Sequence, residues 1–282
     1  MVDAVFSLGG DLPVRRLGFG TGGLVGPGYW GTRGDRGAAR ELLRAAVAGG
    51  VRLVDTADNY GPELAEELIA EALYPYDGDL VIATKGGVVR TGPDAWHVAG
   101  RPEQLRAACE ASLRRLRVDR IDLYQLHRFD PALPESEQLG VLAQLRAEGK
   151  IRHIGLDSVS ADQLALALES EPVAAVQNAF HLLDRSAAPV LALCEAEGIA
   201  FLPYYPLGSG ALTRDGSAAL AAVAAAHGAG PGQIALAWLL HHSPVLCPTP
   251  GTGSPVHLAE NLAAASIALS PAERALLDAL VP

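Results

Sequence analysis

The sequence has few of the features that mark secreted, metal-binding or membrane proteins. Its three cysteines, Cys109, Cys194 and Cys247, lie far apart and lack the spacing of metal ligands. No apolar run approaches the roughly 18 to 20 residues that a membrane span needs. The N-terminal residues lack the basic start and continuous apolar segment of a signal peptide. We therefore expect a cytoplasmic protein with reduced thiols, no metal site and no membrane contact.

Excess positive charge is also absent. The 282 residues carry a formal net charge of −10, which opposes attraction to the phosphates of nucleic acid or to anionic lipid. The one basic cluster, at residues 114–120, fits the solvated end of a helix, where arginine complements the negative end of the helix dipole. We expect a small-molecule substrate and no nucleic-acid partner.

What the sequence does contain is a regular alternation of short apolar runs and longer segments with helical periodicity. Eight runs predict buried strands, at residues 15–21, 51–57, 80–85, 121–127, 153–158, 174–180, 199–205 and 245–251. The segments between them, such as 36–50, 101–117 and 136–150, carry apolar residues at helical spacing. Eight strand–helix rounds without a linker favour one closed (β/α)8 TIM barrel, a single domain over residues 1–282, rather than an open sheet.

Additional elements are predicted at both ends of the barrel. The first fifteen residues read as a β-hairpin that would plug the barrel floor. The stretch 207–241 is longer than one connection needs, so we expect an extra short helix there. Two C-terminal helices are predicted, one around 255–265 and one begun by Ser270 and Pro271.

Chemistry in such a barrel collects where the strands end, at the C-terminal face. The predicted strand ends carry ionisable or amide side chains almost throughout: Asp55, Lys85, His127, Asp157 with Ser158, Gln177 with Asn178, and Tyr204. Singly, Asp55 reads as a cap and Lys85 as a side chain that extends from the barrel mouth. We interpret Asp58, Asn59 and Pro62 as residues that turn the chain and begin the next helix.

Jointly, three of these side chains and Tyr60, which lies in the loop after the second strand, match the needs of carbonyl reduction by hydride. The developing alkoxide needs a proton donor, and a free phenol with a pKa near 10 is a reluctant donor at pH 7. A cationic Lys85 would lower the pKa of Tyr60, and Asp55 would keep Lys85 charged. His127 would orient the carbonyl or help to move the proton.

These residues stand in motifs that resemble those of the aldo-keto reductase superfamily, in particular its bacterial NADPH-dependent members. The motifs are DTADNYG with Asp55 and Tyr60, ATKGG with Lys85, and DLYQLH with His127. The resemblance runs from the N-terminal hairpin to the final helix. It implies that these four residues are catalytic in a monomeric NAD(P)H-dependent reductase of aldehydes or ketones. It also implies that NADPH, with NADH possible, extends across the barrel mouth.

The resemblance further implies a set of cofactor contacts. In the first loop these are Gly20 and Thr21. The nicotinamide would meet Asp157, Ser158, Gln177 and Tyr204. The pyrophosphate would meet a turn of mostly small residues, Leu207, Gly208, Ser209 and Gly210, where backbone N–H groups can approach closely. The adenosine and its phosphate would meet Gly251, Thr252, Gly253, Ser254, His257, Glu260 and Asn261.

The chain departs from the family pattern at two places. The loop 251–257 has no lysine or arginine where many relatives neutralise the 2′-phosphate of NADPH, so the preference between NADPH and NADH stays open. Asp157 stands where the family has a serine beside the nicotinamide. We hypothesise that its carboxylate favours the oxidised cofactor, whose ring is cationic, by Coulomb attraction.

The substrate pocket is the least constrained part of the sequence. Loops that follow the catalytic strands supply eight candidates: Leu24, Tyr29, Trp30, Trp96, His97, Arg128, Phe129 and Tyr205. Trp30 and Trp96 suggest an apolar wall, and Arg128 could meet a substrate carboxylate or phosphate.

Two alternative functions are open at this point. The stretch GFGTGG has the G-x-G-x-x-G spacing of a Rossmann dehydrogenase, although Gly26, Pro27 and Gly28 follow where a helix should begin. A barrel that binds the nucleotide as a sensor or regulatory subunit, with little turnover, would share the fold and the cofactor loops.

Overall fold

The computed structural model describes residues 5–208, 212 and 217–281, and it begins with a β-hairpin. Strands β1 (Val5–Leu8) and β2 (Leu12–Arg15) pair antiparallel. Leu8 is fully buried among the inward-facing residues of the barrel strands. Asp11 in the hairpin turn pairs with His153, near the start of a barrel strand, at 2.6 Å. The hairpin therefore plugs the barrel floor, as the sequence predicts.

Seven parallel strands form the barrel wall, and each pairs with the next wall strand along the chain. They are β3 (Phe19–Gly20), β4 (Leu53–Asp55), β5 (Val81–Gly86), β8 (Ile121–Leu126), β9 (Ile151–Asp157), β10 (Val173–Ala179) and β11 (Ala200–Tyr204). A second hairpin, β6 (Val88–Gly92) and β7 (Ala95–Val98), follows β5. The sequence analysis missed this hairpin because Gly86, Gly87 and Pro93 make the segment read as a loop.

The predicted eighth strand, residues 245–251, closes the barrel between β11 and β3 without forming a regular ladder. On the β11 side, Phe201 N donates to Val245 O at 2.8 Å. On the β3 side, Gly18 N donates to Pro248 O and Gly20 N to Pro250 O. The two prolines accept these bonds but have no N–H to return. The closed (β/α)8 fold is thus confirmed, with two isolated bridges at the closing seam.

Helices surround the wall and follow it at the C-terminal end. Their bounds are α1 (Arg36–Ala48), α2 (Leu64–Leu73), α3 (Pro102–Leu116), α4 (Glu135–Ala147), α5 (Ala161–Ser170), α6 (Ala188–Glu197), α7 (Ala218–Ala226), α8 (Pro231–His242), α9 (Pro255–Ala263) and α10 (Pro271–Asp278). The predicted extra helix is α7, and Ser270 caps α10 through Glu273 N. Within the described residues, no helix has both the length and the apolar composition needed to cross a bilayer.

The glycines of GFGTGG allow the closing seam to form. A Cβ added to Gly20 would lie 2.6 Å from Thr249 O, and one added to Gly23 would lie 2.7 Å from Thr252 N. Both distances are too short for any side chain, and the opposing atoms are backbone. The stretch then continues as a short 3₁₀ helix, Thr21–Leu24, not the long helix of a Rossmann turn. Its glycines therefore serve barrel closure.

Replacement of Gly20 by alanine is expected to destabilise the closed barrel. The backbone angle φ of Gly20, −93°, suits alanine, so the cost comes from the clash with Thr249 O. Overpacking of this kind costs about 1–3 kcal/mol, which would lower the urea midpoint of unfolding. Gly78→Ala is the control, because nothing lies within 4 Å of a Cβ there. Equal midpoints for the two variants would contradict the role of Gly20.

Candidate active site

An ion pair between Lys85 and Asp55 underlies the candidate site. Lys85, on β5, is fully buried, and its Nζ donates to both carboxylate oxygens of Asp55 at 2.8 Å. A third bond, to the carbonyl of Thr56 at 2.9 Å, uses the last ammonium proton. A buried ammonium keeps its charge only when it is paired and hydrogen-bonded in this way. The side chains pair as the sequence predicts and form a unit with no net charge.

Strand pairing continues past Asp55 and fixes the loop that carries Tyr60. Thr56 N donates to Ala83 O at 2.8 Å, and Asp58 N donates to Lys85 O at 3.1 Å. The loop therefore remains attached to β5 after β4 has ended. Its next turn, closed by the bond from Tyr60 N to Ala57 O, brings the phenol over the ion pair.

Tyr60 is a phenol held in its protonated form. Burial raises the pKa of Tyr60 well above its ordinary value, and the nearby carboxylates of Asp55 and Asp157 raise it further. Lys85 Nζ lies 5.4 Å from the centre of the Tyr60 ring. The net direction is upward, opposite to the lowering by Lys85 that we expect from the sequence. Tyr60 therefore keeps its proton at neutral pH and is present as a hydrogen-bond donor.

His127 is held as a neutral ring by burial and by Asn59. Burial lowers the pKa of His127 well below its ordinary value, and the charges of Lys85, Arg128 and Arg90 act in the same direction. Asn59 Nδ2 donates to Val88 O at 2.9 Å and lies 3.0 Å from His127 Nδ1.

Because a carbonyl only accepts, the bond to Val88 identifies the NH₂ group of Asn59 and makes His127 Nδ1 an acceptor. The neutral ring then carries its proton on Nε2. The interpretation of Asn59 as a residue that only turns the chain was incomplete. Helix α2 begins at Leu64 without a side-chain cap, so neither Asn59 nor Asp58 starts it.

One cavity of about 870 Å³ joins this group to the predicted cofactor loops. Three of the four predicted catalytic residues line it, namely Asp55, Tyr60 and His127, while Lys85 lies beneath. The predicted cofactor residues that line it are Gly20, Asp157, Ser158, Gln177, Tyr204, Leu207, Gly251, Thr252, His257, Glu260 and Asn261. The predicted substrate residues that line it are Tyr29, Trp96, Arg128 and Tyr205.

Other predicted residues lie off the cavity or outside the described chain. Thr21 is buried behind it and bonds Thr56, and Ser254 caps α9. Gly208 and Gly253 are not among the lining residues. Ser209 and Gly210 lie outside the described residues.

Four of the eight substrate candidates do not line the cavity, and each has another contact. Leu24 packs in the hydrophobic core, and Phe129 packs against that core. Trp30 lies beside the Arg90 guanidinium, 5.8 Å from ring centre to carbon, and His97 pairs with Thr91 at 2.9 Å. Their positions in the sequence could not separate them from the true lining residues.

Sequence reasoning missed two lining groups. One is the start of α8, residues 230–233, within the stretch 207–241 for which the sequence predicts only an extra short helix. The other is the hairpin β6–β7, which brings Asp94 and Trp96 to the cavity. Arg90 stacks on Trp96 at 3.7 Å and donates to Gly28 O, so it fixes both the tryptophan and the first loop. The weak signal for this hairpin was a pair of short segments with apolar residues, 88–89 and 95–98, on either side of the turn-forming pair Gly92 and Pro93.

Asp157 is a carboxyl group with little access to water. Burial raises its pKa to about 7, against the lowering effects of Lys85 and of the bond from Ser158 Oγ at 2.6 Å. The side chain lies at the end of β9 and lines the cavity. Asp157 therefore changes charge near neutral pH beside the predicted catalytic group.

Comparison with known proteins places these features in one family. The Aldo/keto reductase family model matches residues 16–282. The chain belongs to the aldo/keto reductase family. An uncharacterized oxidoreductase of Schizosaccharomyces pombe is 48% identical over 95% of this chain and 87% of its own. Pyridoxine 4-dehydrogenase of Escherichia coli is 40% identical over 99% of both chains. Membership makes the protein an NAD(P)H-dependent oxidoreductase.

A solved aldo-keto reductase shows the same fold at lower identity. The enzyme from Klebsiella pneumoniae, crystallised with NADPH, aligns with a TM-score of 0.85 at 29% identity over 99% of this chain and 95% of its own. In the present chain, Gly20, Gly23 and Gly251 line the cavity with backbone alone. A surface formed by backbone alone suits a nucleotide, because phosphate and ribose can approach the N–H groups directly.

The pKa of Asp157 predicts how Asp157→Asn changes stability with pH. An unfolded aspartate titrates near 3.8, so the folded wild type gains stability from this proton below about pH 4 and loses it as the pH rises through 7. The neutral amide avoids that loss. By linkage the free energy of unfolding of the variant, taken relative to that of wild type, should rise by on the order of 2–4 kcal/mol from pH 5 to pH 8.

Urea unfolding at the two pH values measures this difference. Asp119→Asn, on an exposed turn, is the control and should leave the pH dependence of wild type in place. Parallel stability curves for wild type and Asp157→Asn would show that Asp157 titrates as an ordinary carboxylate.

Proposed function

We propose that the protein reduces the carbonyl group of an aldehyde or ketone, with Tyr60 as the proton donor. NADPH is the cofactor and supplies the hydride when bound. The proposal rests above all on the buried Lys85–Asp55 pair, which underlies two uncharged donors, Tyr60 and His127. Both donors line one cavity, so a single carbonyl oxygen can meet them together.

The four side chains have separate roles in this reaction. Tyr60 gives its phenolic proton to the carbonyl oxygen as negative charge develops there. Lys85 stabilises the phenolate that remains, and Asp55 keeps Lys85 charged and aimed. His127 donates its Nε2–H to the same oxygen, which orients the carbonyl and disperses its charge. Asn59 acts through His127 as a positioning residue, because it fixes the tautomer.

The cofactor contacts follow the cavity away from these donors. We assign the nicotinamide to Asp157, Ser158, Gln177 and Tyr204, the pyrophosphate to Leu207, Gly208, Ser209 and Gly210, and the adenosine to Gly251, Thr252, His257, Glu260 and Asn261. Above pH 7 the carboxylate of Asp157 favours the cationic oxidised ring. Because an enzyme accelerates a reaction in both directions, the ratio of the two cofactor forms decides which direction runs.

A flat aromatic aldehyde of the pyridoxal type is the substrate class that we propose. The relative with 40% identity over 99% of both chains is a pyridoxine 4-dehydrogenase, and removal of hydrogen from the 4-hydroxymethyl group of pyridoxine gives an aldehyde. The cavity supports this choice, because Tyr29 and Trp96 meet edge to face at 5.7 Å beside Tyr60. Exposed Arg128 at the cavity would meet an anionic substituent.

The setting of the enzyme is also part of the proposal. We propose that residues 1–282 form one barrel domain that acts as a monomer in the cytoplasm. The family match over residues 16–282 supports the single domain. The three free, buried cysteines support a reducing compartment.

Tyr60→Phe tests the reaction. Loss of the proton donor should lower the reduction rate by about 10²- to 10⁴-fold, while the affinity for NADPH changes little. The assay follows NADPH oxidation with pyridoxal, and nicotinamide fluorescence reports binding. Tyr76→Phe is the control, since Tyr76 bonds Leu116 O far from the cavity. If wild type binds NADPH but oxidises it with no aldehyde or ketone in a broad panel, the sensor alternative replaces this proposal.

Trp96→Ala tests the substrate class. The KM for an aromatic aldehyde whose ring packs on Trp96 should rise about five- to tenfold, while the KM for a small aliphatic aldehyde should hardly change. Trp30→Ala is the matched control, because Trp30 also contacts Arg90 but does not line the cavity. A similar rise in KM for both aldehydes would mean that Trp96 supports the loop and does not contact the substrate.

A further inference from the structure

The adenosine loop, residues 251–257, lacks a lysine or arginine of its own, and another part of the fold brings an arginine to it. The segment 251–257 carries no lysine or arginine, and Gly251 and Gly253 contribute no side chain at all. Its one ionisable residue is His257. A 2′-phosphate bound there would need a positive charge from another part of the chain.

Arg33 brings a guanidinium to this segment from the loop between β3 and α1. Its Nη1 donates to Gly23 O at 3.2 Å. Gly23 packs directly on the backbone of Thr252, which lines the cavity. A Cβ added to Gly253 would lie 3.6 Å from Arg33 Nε. The Arg33 side chain therefore lies directly beside Gly253.

Arg33 has bonding capacity to spare at this position. Among residues 5–208, 212 and 217–281, no carboxylate forms an ion pair with it, and its one hydrogen bond goes to a carbonyl. A guanidinium has five N–H donors in a planar fork that matches two phosphate oxygens. Its side chain is exposed, so it can turn toward a ligand without leaving a buried partner behind.

We propose that Arg33 binds the 2′-phosphate of NADPH and gives this enzyme its preference for NADPH over NADH. The inference rests on the proposed use of NADPH and names a residue that the adenosine loop itself does not supply. The phosphate would lie between the Arg33 guanidinium and the hydroxyl groups of the 252–254 turn. NADH has a hydroxyl group at the same place and cannot form the charged contact.

Binding titrations of wild type and Arg33→Ala test the proposal without turnover. The ligands are NADPH, NADH, 2′,5′-ADP and ADP, and the readout is the dissociation constant by fluorescence or calorimetry. A lost charged hydrogen bond should raise the dissociation constants of NADPH and 2′,5′-ADP by about 10- to 100-fold. The constants for NADH and ADP should stay within about twofold of wild type. Arg44→Ala is the matched control, because Arg44 is also exposed and also bonds a backbone carbonyl.

The other outcomes overturn the proposal in distinguishable ways. If wild type prefers NADPH and Arg33→Ala keeps that preference, Arg33 is not the phosphate ligand although the proposed function stands. Loss of the preference in His257→Ala alone would assign the contact to His257. Equal weakening of all four ligands would place Arg33 at the pyrophosphate or in loop folding. Wild type that binds none of the four would remove the proposed function, and this inference with it.

Discussion

The ion pair between Lys85 and Asp55 is the interaction on which the rest of the site depends. Taking two charges out of water costs several kcal/mol for each ion, and only complete bonding offsets that cost. Here every ammonium proton has an acceptor, and Gln125 Nε2 adds a donor to Asp55 Oδ1 at 3.2 Å. The register of β4 and β5 places Asp55 opposite Ala83, so the lysine side chain must reach back across the strands to meet it. The pair therefore also ties two neighbouring strand ends together.

Burial keeps the two donors above the pair neutral, and each charge of the pair acts on one of them in the same direction. Burial holds the proton on the Tyr60 phenol, and the carboxylates of Asp55 and Asp157 act in the same direction. Burial holds the His127 ring unprotonated, with the charges of nearby cations acting in the same direction, and Asn59 determines which nitrogen carries the remaining proton. The site is then a pair of uncharged hydrogen-bond donors whose positions are fixed before a carbonyl arrives. Such preorganised donors stabilise charge as it develops in the transition state.

Much of this could be predicted from the sequence because parallel barrel strands end on one face. Successive wall strands carry Asp55, Lys85 and His127 at or next to their C-terminal ends, so the three side chains lie close together in the fold. Contacts that depend on side-chain direction could not be predicted. Nothing local distinguishes Asn59 as the partner of His127 from Asn59 as a turn residue. Arg33 lies beside Gly253 only because the barrel closes between β3 and residues 245–251.

The protonation state of Tyr60 in the folded enzyme tests the central claim most directly. Ultraviolet difference titration of wild type against Tyr60→Phe isolates the absorbance of this one phenol as it forms a phenolate. The account predicts no phenolate from Tyr60 up to about pH 10, the ordinary pKa of tyrosine, because burial and two carboxylates hold the proton in place. A phenolate signal with a midpoint below pH 9 would contradict it and would mean that Lys85 lowers the pKa of Tyr60 by more than burial and the carboxylates raise it.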